Sequence, residues 1–158
     1  MYIKEFEIRW SDLDANLHLG NSTYIDYMSH TRMSFLTESN LGLVIMLENN
    51  LGPITLYEHI HYFKEIKPRE TVKVSLEISG HSADGRFILF EHNFYNPEGK
   101  NLAYAEILFS WIDIEKRKFG IVPKKLLGLI ESFPKAKHFK ILTKEDTIKH
   151  GKRPVDLI

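Results

Sequence analysis

The sequence predicts an α+β protein in which one long helix packs on a curved antiparallel sheet. Three observations predict it. Residues 2–10 alternate with period two, residues 24–36 repeat at helical spacing, and from residue 52 onward strand patterns follow one another through tight turns. A single run of strands after a single helix leaves little room for parallel crossovers, so the sheet is expected to be antiparallel.

The first strand is expected over Tyr2–Trp10, with Phe6, Ile8 and Trp10 on one face and Glu5, Glu7 and Arg9 on the other. Then Tyr24, Tyr27, Met28, Thr31 and Phe35 recur at spacings of three and four, with Ile25 and Leu36 widening the apolar stripe. This is a helix of roughly four turns. Asn21, Ser22 or Thr23 can cap its start, and Gly42, after Asn40 and Leu41, marks its end. Residues 43–51 read as a short helical or irregular connection. Four strands follow, over 54–66, 70–79, 87–95 and 102–114. In the second, Val72, Val74, Leu76 and Ile78 share a face. Asp84-Gly85 builds the hairpin between the second and third, and "NPEGKN" (96–101) the next turn. Pro123 opens a short helix as its first residue. Residues 1–134 are predicted to hold the folded domain. Residues 135–158 are predicted to be a polar, basic extension of the same domain that docks loosely or not at all, its Lys135, Lys137, Lys140 and Lys149 solvating the surface. One helix covers five strands incompletely, so the remaining apolar surface and the strand edges predict self-association.

Composition narrows the function. The 158 residues carry 21 basic and 21 acidic side chains, so bulk electrostatics give no reason to expect a nucleic-acid binder. Cysteine is absent, which removes a thiol nucleophile, a disulfide framework and any thiolate-bound zinc. The N-terminus lacks the apolar run of a signal peptide, and no stretch reaches the roughly 18 apolar residues of a membrane span. A soluble cytoplasmic protein is expected.

The chemistry concentrates in "RWSDLDANLHLGNSTYIDYM", residues 9–28. Asp12 and Asp14 can organise a turn between strand and helix, Asn21 can cap the helix, and His18 can bond the loop backbone. The same groups can also do acid–base or nucleophilic work. A metal set from Asp12, Asp14 and His18 is available on ligand type, but its spacing matches no closed zinc pattern. His59 and His61 share a strand face and form a conceivable second pair. No metal is assigned. Tyr24 and Tyr27 can serve as core or as pocket wall. Lys64, Lys67 and Arg69 gather near a strand end, where they either solvate a turn or attract phosphates.

The pattern Arg9-Trp10-x-Asp12-x-Asp14-x-x-x-His18-x-x-Asn21-x-x-Tyr24 resembles the opening of the hotdog-fold acyl-CoA thioesterases, in their 4-hydroxybenzoyl-CoA thioesterase-like and long-chain acyl-CoA thioesterase branches. "YFKEIKPRETVKV" (62–74) and "GKNLAYAEILFSWID" (99–113) are similar to later segments of that family, so the resemblance spans residues 2–131. It implies a hotdog fold and an enzyme that hydrolyses an acyl thioester to free acid and CoA. CoA is then part of the substrate and no other cofactor is required; the thioester carrier is CoA or acyl carrier protein, and the assembly is a homodimer or homotetramer. It also implies that Asp14 is the catalytic carboxylate, with His18 and Asn21 as polar partners. Tyr24, Tyr27, Lys64, Lys67 and Arg69 become candidate substrate contacts, the basic ones for the CoA phosphates. "HLGN" departs from the "HVNN" of many relatives, so Gly20 stands where an amide side chain is common. Two rival readings are a hotdog acyl-thioester hydratase or dehydratase and a non-catalytic acyl-thioester-binding protein. The histidine-bearing segment typical of hydratase relatives is absent, while Gly20 keeps the binding protein in play.

Thioester hydrolysis asks little of its catalyst. A thiol of pKa about 8.5 leaves readily as thiolate, so one carboxylate can suffice. Asp14 can act as a general base, improved if burial raises its pKa from about 3.9, or as a nucleophile through a mixed anhydride. Free backbone N–H groups at a helix N-terminus can stabilise the oxyanion.

Overall fold

The computed structural model describes residues 1–157. In chain order, β1 (Tyr2–Glu7) leads through a 3-10 turn (Trp10–Asp12) to α1 (Asn21–Glu38), α2 (Leu43–Glu48) and β2 (Leu51–Tyr62). Then come β3 (Thr71–Ser82), β4 (Phe87–Tyr95), β5 (Asn101–Asp113), β6 (Lys118–Phe119), α3 (Lys124–Glu131), β7 (Lys135–Leu142) and α4 (Lys144–Ile148). They form one seven-stranded sheet with the order β1-β3-β4-β5-β2, to which β6 adds beside β5 and β7 beside β3. All these pairings are antiparallel except β3 with β7.

The long strands bend. Register slips by one residue at Leu56 in β2 and at Ser79 in β3, and such bulges curve a strand and deepen its twist. The sheet therefore curls around α1. The helix buries Tyr24, Tyr27, Met28, Thr31, Phe35 and Leu36, facing Val72, Val74, Leu76 and Ile78 of β3 and Phe90 and Phe94 of β4. Burying each such large side chain contributes about 1.5–3 kcal/mol.

The ends of α1 differ from the sequence expectation. Gly20 is the N-cap, and no side chain caps the helix. Thr23 instead turns its hydroxyl to the carbonyl of Asp12 at 3.1 Å. At the other end Asn40, at φ 58°, supplies the left-handed residue that stops the helix. Gly42 begins α2. Ile25, assigned to the apolar stripe, is exposed. Likewise Pro123 caps α3 from outside rather than opening it.

β1 stops at Glu7, and the 3-10 turn carries Trp10 out into solvent, 82% exposed, instead of onto the core face with Phe6. The larger correction lies at the C-terminus. Residues 135–142 do not dock loosely; they form β7, which lies parallel to the second half of β3. Gly80 permits this approach, because a Cβ there would stand 2.5 Å from Leu142 and 2.8 Å from the Lys140 carbonyl. Thr143 and Asp146 then close a capping box that starts α4. No helix among the described residues is long and apolar enough to cross a membrane.

Candidate active site

The loop between β1 and α1 holds two aspartates in opposite conditions. Asp12 is 4% exposed. Its Oδ2 accepts from the Arg9 backbone N–H (2.8 Å), the Arg9 Nε (3.1 Å) and the Tyr27 hydroxyl (2.8 Å), while Oδ1 accepts from Arg9 Nη2 (3.0 Å). Its carbonyl accepts from Gly20 N–H at 2.8 Å. Burial pushes the Asp12 carboxyl up, but the Arg9 and Tyr27 hydrogen bonds outweigh it and hold the group below the ordinary carboxylate range. Asp12 thus ties the end of β1 to the start of α1.

Asp14 is exposed, without the burial beside the helix that would improve it as a general base. Its Oδ1 accepts from the backbone N–H of Asn16 (2.8 Å) and of His18 (3.2 Å). This Asx-type turn is reinforced by Leu17, which adopts φ 59°. Oδ2 takes no hydrogen bond from the described residues. Asp14 faces a cleft of about 330 Å³ lined by His18, Leu19, Asn21, Tyr24, Tyr62, Phe63, Lys64 and Glu65. Leu19 N–H donates to the Ile66 carbonyl at 2.9 Å, joining the Asp14 loop to the 63–68 segment that forms the opposite wall.

Asn21, the first residue of α1, is exposed at the cleft. The N–H groups of Asn21 and Ser22 donate to none of the described residues, as a helix without a side-chain cap leaves them. Tyr24, one turn on, packs edge-on to Tyr62 (5.0 Å) and against Phe94 (4.9 Å). Burial, then Tyr62 and the negative charge of Asp14, push its hydroxyl up to about 12, so it stays a protonated donor near Asp14. His18 turns its Nε2 to Glu65 at 3.0 Å, and Lys67 holds the same carboxylate at 2.9 Å.

The structure therefore brings Asp14, His18, Asn21, Tyr24 and Lys64 together. Lys67 lies beside them, in an adjoining groove with Lys64, Glu65, Glu70 and Asn96. Tyr27 is elsewhere: its ring stacks on Phe6 at 4.2 Å and its hydroxyl serves Asp12. Arg69, at φ 68°, lines a separate groove with Arg9, Trp10 and Leu13. Glu65, Tyr62 and Phe63 were not singled out from the sequence. Glu65 stands between Lys64 and Lys67, and an acid within a basic run is the signal that could have found it. Gly20 has φ −63°, and a Cβ there would lie 3.9 Å from the Asp14 Cβ, in ordinary contact. The backbone does not require glycine at 20; its effect is open space next to Asp14.

A curled antiparallel sheet around one long helix is the hotdog architecture, and the family match over most of the chain makes its class thioester hydrolase. A model of the thioesterase-like superfamily matches residues 8–136, and the chain belongs to that family. The fold is similar to the hypothetical protein SAV2348 from Staphylococcus aureus, solved in complex with CoA, at 18% identity and a TM-score of 0.76, over 98% of this chain and 94% of that one. It is also similar to Slr0204, a 1,4-dihydroxy-2-naphthoyl-CoA thioesterase from Synechocystis (16% identity, TM-score 0.73, 83% and 96% covered). A third similar fold is YbaW, a probable thioesterase from Escherichia coli (20% identity, TM-score 0.70, 82% and 96% covered). No curated protein matches the sequence.

Proposed function

We propose that this protein is an acyl-CoA thioesterase in which Asp14 is the hydrolytic carboxylate. The observation that carries the proposal is the free Oδ2 of Asp14, in a cleft that also holds the uncapped N-terminus of α1. One oxygen of the carboxylate is fixed by its own loop; the other is available for a thioester or its attacking water. In the general-base route Asp14 takes a proton from water, and the hydroxide adds to the thioester carbon. The oxyanion is stabilised by the free amides of Asn21 and Ser22. The C–S bond then breaks, the thiolate leaves, and the proton held by Asp14 passes to it. In the nucleophilic route Asp14 itself forms the acyl bond, thiolate departs, and water opens the anhydride.

His18 is a positioning residue in this reading, since its backbone N–H holds Asp14 and its ring is engaged by Glu65. Asn21 orients water or the thioester carbonyl. Tyr24 and Tyr62 form the acyl wall, and Lys64 and Lys67 at the mouth meet the phosphates of CoA. The CoA complex of the similar Staphylococcus protein favours CoA as carrier over acyl carrier protein. The minimal unit is a homodimer. β2 ends the strand order, so its outer edge is unpaired, and Leu56, Tyr62 and Phe63 expose apolar surface along it. A second protomer on that edge would narrow the open side of the cleft.

Thiol release from acyl-CoAs of graded chain length and from aromatic acyl-CoAs tests the proposal. Turnover on at least one series is expected. Saturable binding of acyl-CoA without release of free thiol across the whole set would replace the enzyme with a binding protein.

A further inference from the structure

On the sheet face opposite α1, a second cluster gathers that the hydrolytic cleft does not use. His59 of β2 and Glu106 of β5 are direct cross-strand partners, and Glu106 alternates with the core residues Ala105 and Ile107. The C-terminal segment reaches this face. Beyond α4 it brings His150 edge-on to His59, ring centres 4.3 Å apart. One donor atom from each of His59, Glu106 and His150 lies within 4.8 Å of the others. Donors bound to zinc at about 2.0–2.1 Å in a tetrahedron stand about 3.4 Å apart, a distance that modest side-chain rotation reaches.

Three observations favour an ion here. His18, His92 and His138 are engaged by Glu65, Ser75 and Glu91; His59 and His150, like His30 and His61, form no hydrogen bond or ion pair among the described residues, but His59 and His150 stand ring to ring. Tyr57 touches all three members of the set. Its hydroxyl donates to Glu106 Oε1 at 3.0 Å, its ring stacks on His59 at 4.7 Å, and His150 meets it edge-on at 5.2 Å. A partner that orients both a carboxylate and an imidazole is what metal sites place behind their ligands. The third observation is electrostatic. Glu91 and Glu106 face each other across β4 and β5, and like charges at that position repel. His138 answers Glu91 at 2.7 Å, but among the described residues Glu106 receives only the neutral hydroxyl of Tyr57.

We propose that His59, Glu106 and His150 bind a borderline transition-metal dication of the zinc type, leaving its fourth position to water, and that the ion fastens the C-terminal segment to the edge strand β2. Two imidazoles and one carboxylate suit zinc, nickel or copper and disfavour magnesium and calcium, which require oxygen ligands. The site lies across the sheet from Asp14 and stands independently of the hydrolytic assignment.

The test uses the full chain, stripped with a chelator and titrated with Zn²⁺ by calorimetry and with Co²⁺ by visible absorption. One equivalent per chain is expected, with the absorption of nitrogen- and oxygen-bound cobalt. His150→Gln and Glu106→Gln each should weaken Zn²⁺ binding by about 100-fold or more, while His61→Gln on the same strand leaves it unchanged. Zn²⁺ should raise the melting temperature and slow trypsin cleavage after Lys149 and Lys152 in the wild type but not in His150→Gln, which lies on the C-terminal segment and leaves the core intact. Absence of saturable Zn²⁺ uptake, uptake that survives His150→Gln, or equal uptake of Mg²⁺ would each overturn the site.

Discussion

Asp12 and Asp14 stand two residues apart in one loop, yet the fold treats them in opposite ways. Asp12 is enclosed, and both of its oxygens are taken by Arg9 and Tyr27. Asp14 is exposed, with one oxygen held by its own loop and the other facing a cleft. The contrast separates scaffold from chemistry. A carboxylate whose acceptor capacity is filled by protein donors contributes stability and has nothing left to offer a substrate. A carboxylate fixed by one oxygen only is oriented and still reactive.

Stability measurements separate the two carboxylates. The largest effect is expected at Asp12. Asp12→Ala removes charge-assisted hydrogen bonds and leaves the buried Tyr27 hydroxyl short of its partner, at a cost of about 2–4 kcal/mol. Denaturant unfolding reads this directly; a loss below the uncertainty of the extrapolation would mean that the Asp12 network is ornamental. Acid unfolding should come next. His92 lies fully buried between the Ser75 carbonyl and Arg32. Burial, then the Arg32 charge, lowers its pKa to about 3. The folded state therefore binds fewer protons than the unfolded state between about 3 and the ordinary histidine value of about 6.5. The stability held by neutral His92 is intact above that window and falls as pH drops through it, by up to about 1.4 kcal/mol per pH unit. A neutral His92→Gln variant should flatten this part of the profile, whatever its stability at pH 7. An unchanged slope would remove His92 as the cause.

Smaller changes probe the boundary between the two regions. Tyr27→Phe keeps the stack on Phe6 and deletes one hydrogen bond to Asp12, so about 1 kcal/mol of stability should go while KM for acyl-CoA holds. A raised KM at unchanged stability would return Tyr27 to the substrate side. The smallest stability effect is expected at Gly20→Asn. Its φ of −63° suits any residue and a Cβ meets nothing closer than 3.5 Å. The melting temperature should move by little, and the change should appear in kcat, because the new amide sits next to Asp14.

Much of this was legible in the residues. The spacing of Tyr24, Met28 and Phe35 marked the buried face of α1, and Asp84-Gly85 marked its hairpin, with Gly85 at φ 69°. Of the candidate set, Asp14, His18, Asn21, Tyr24 and Lys64 line one cleft, while Tyr27, Lys67 and Arg69 do not. What was hidden depended on contacts distant in sequence. Trp10 continues the alternation of β1 on paper, but the Arg9–Asp12 clasp turns the chain before it can pair. Tyr27 and Tyr24 belong to the same helical stripe, and only the position of Phe6 and Asp12 assigns one to the loop and the other to the cleft. β7 reads as a basic tail because its outward residues are lysines; its pairing relies on the bare backbone of Gly80. Arg32 looks like a solvent-facing helix residue, yet it is buried against His92, with Glu58 at 3.6 Å.

The central claim is that the free oxygen of Asp14 does the chemistry. The direct measurement is thioester turnover and thermal unfolding of Asp14→Asn, beside Asp12→Asn, on the best acyl-CoA substrate of the wild type. The amide keeps an oxygen to accept from Asn16 and His18 but can neither take a proton nor attack. For Asp14→Asn, kcat should fall by about 10³-fold or more with the melting temperature within a few degrees of wild type, while Asp12→Asn loses stability first. Asp14→Asn retaining wild-type turnover would contradict the account.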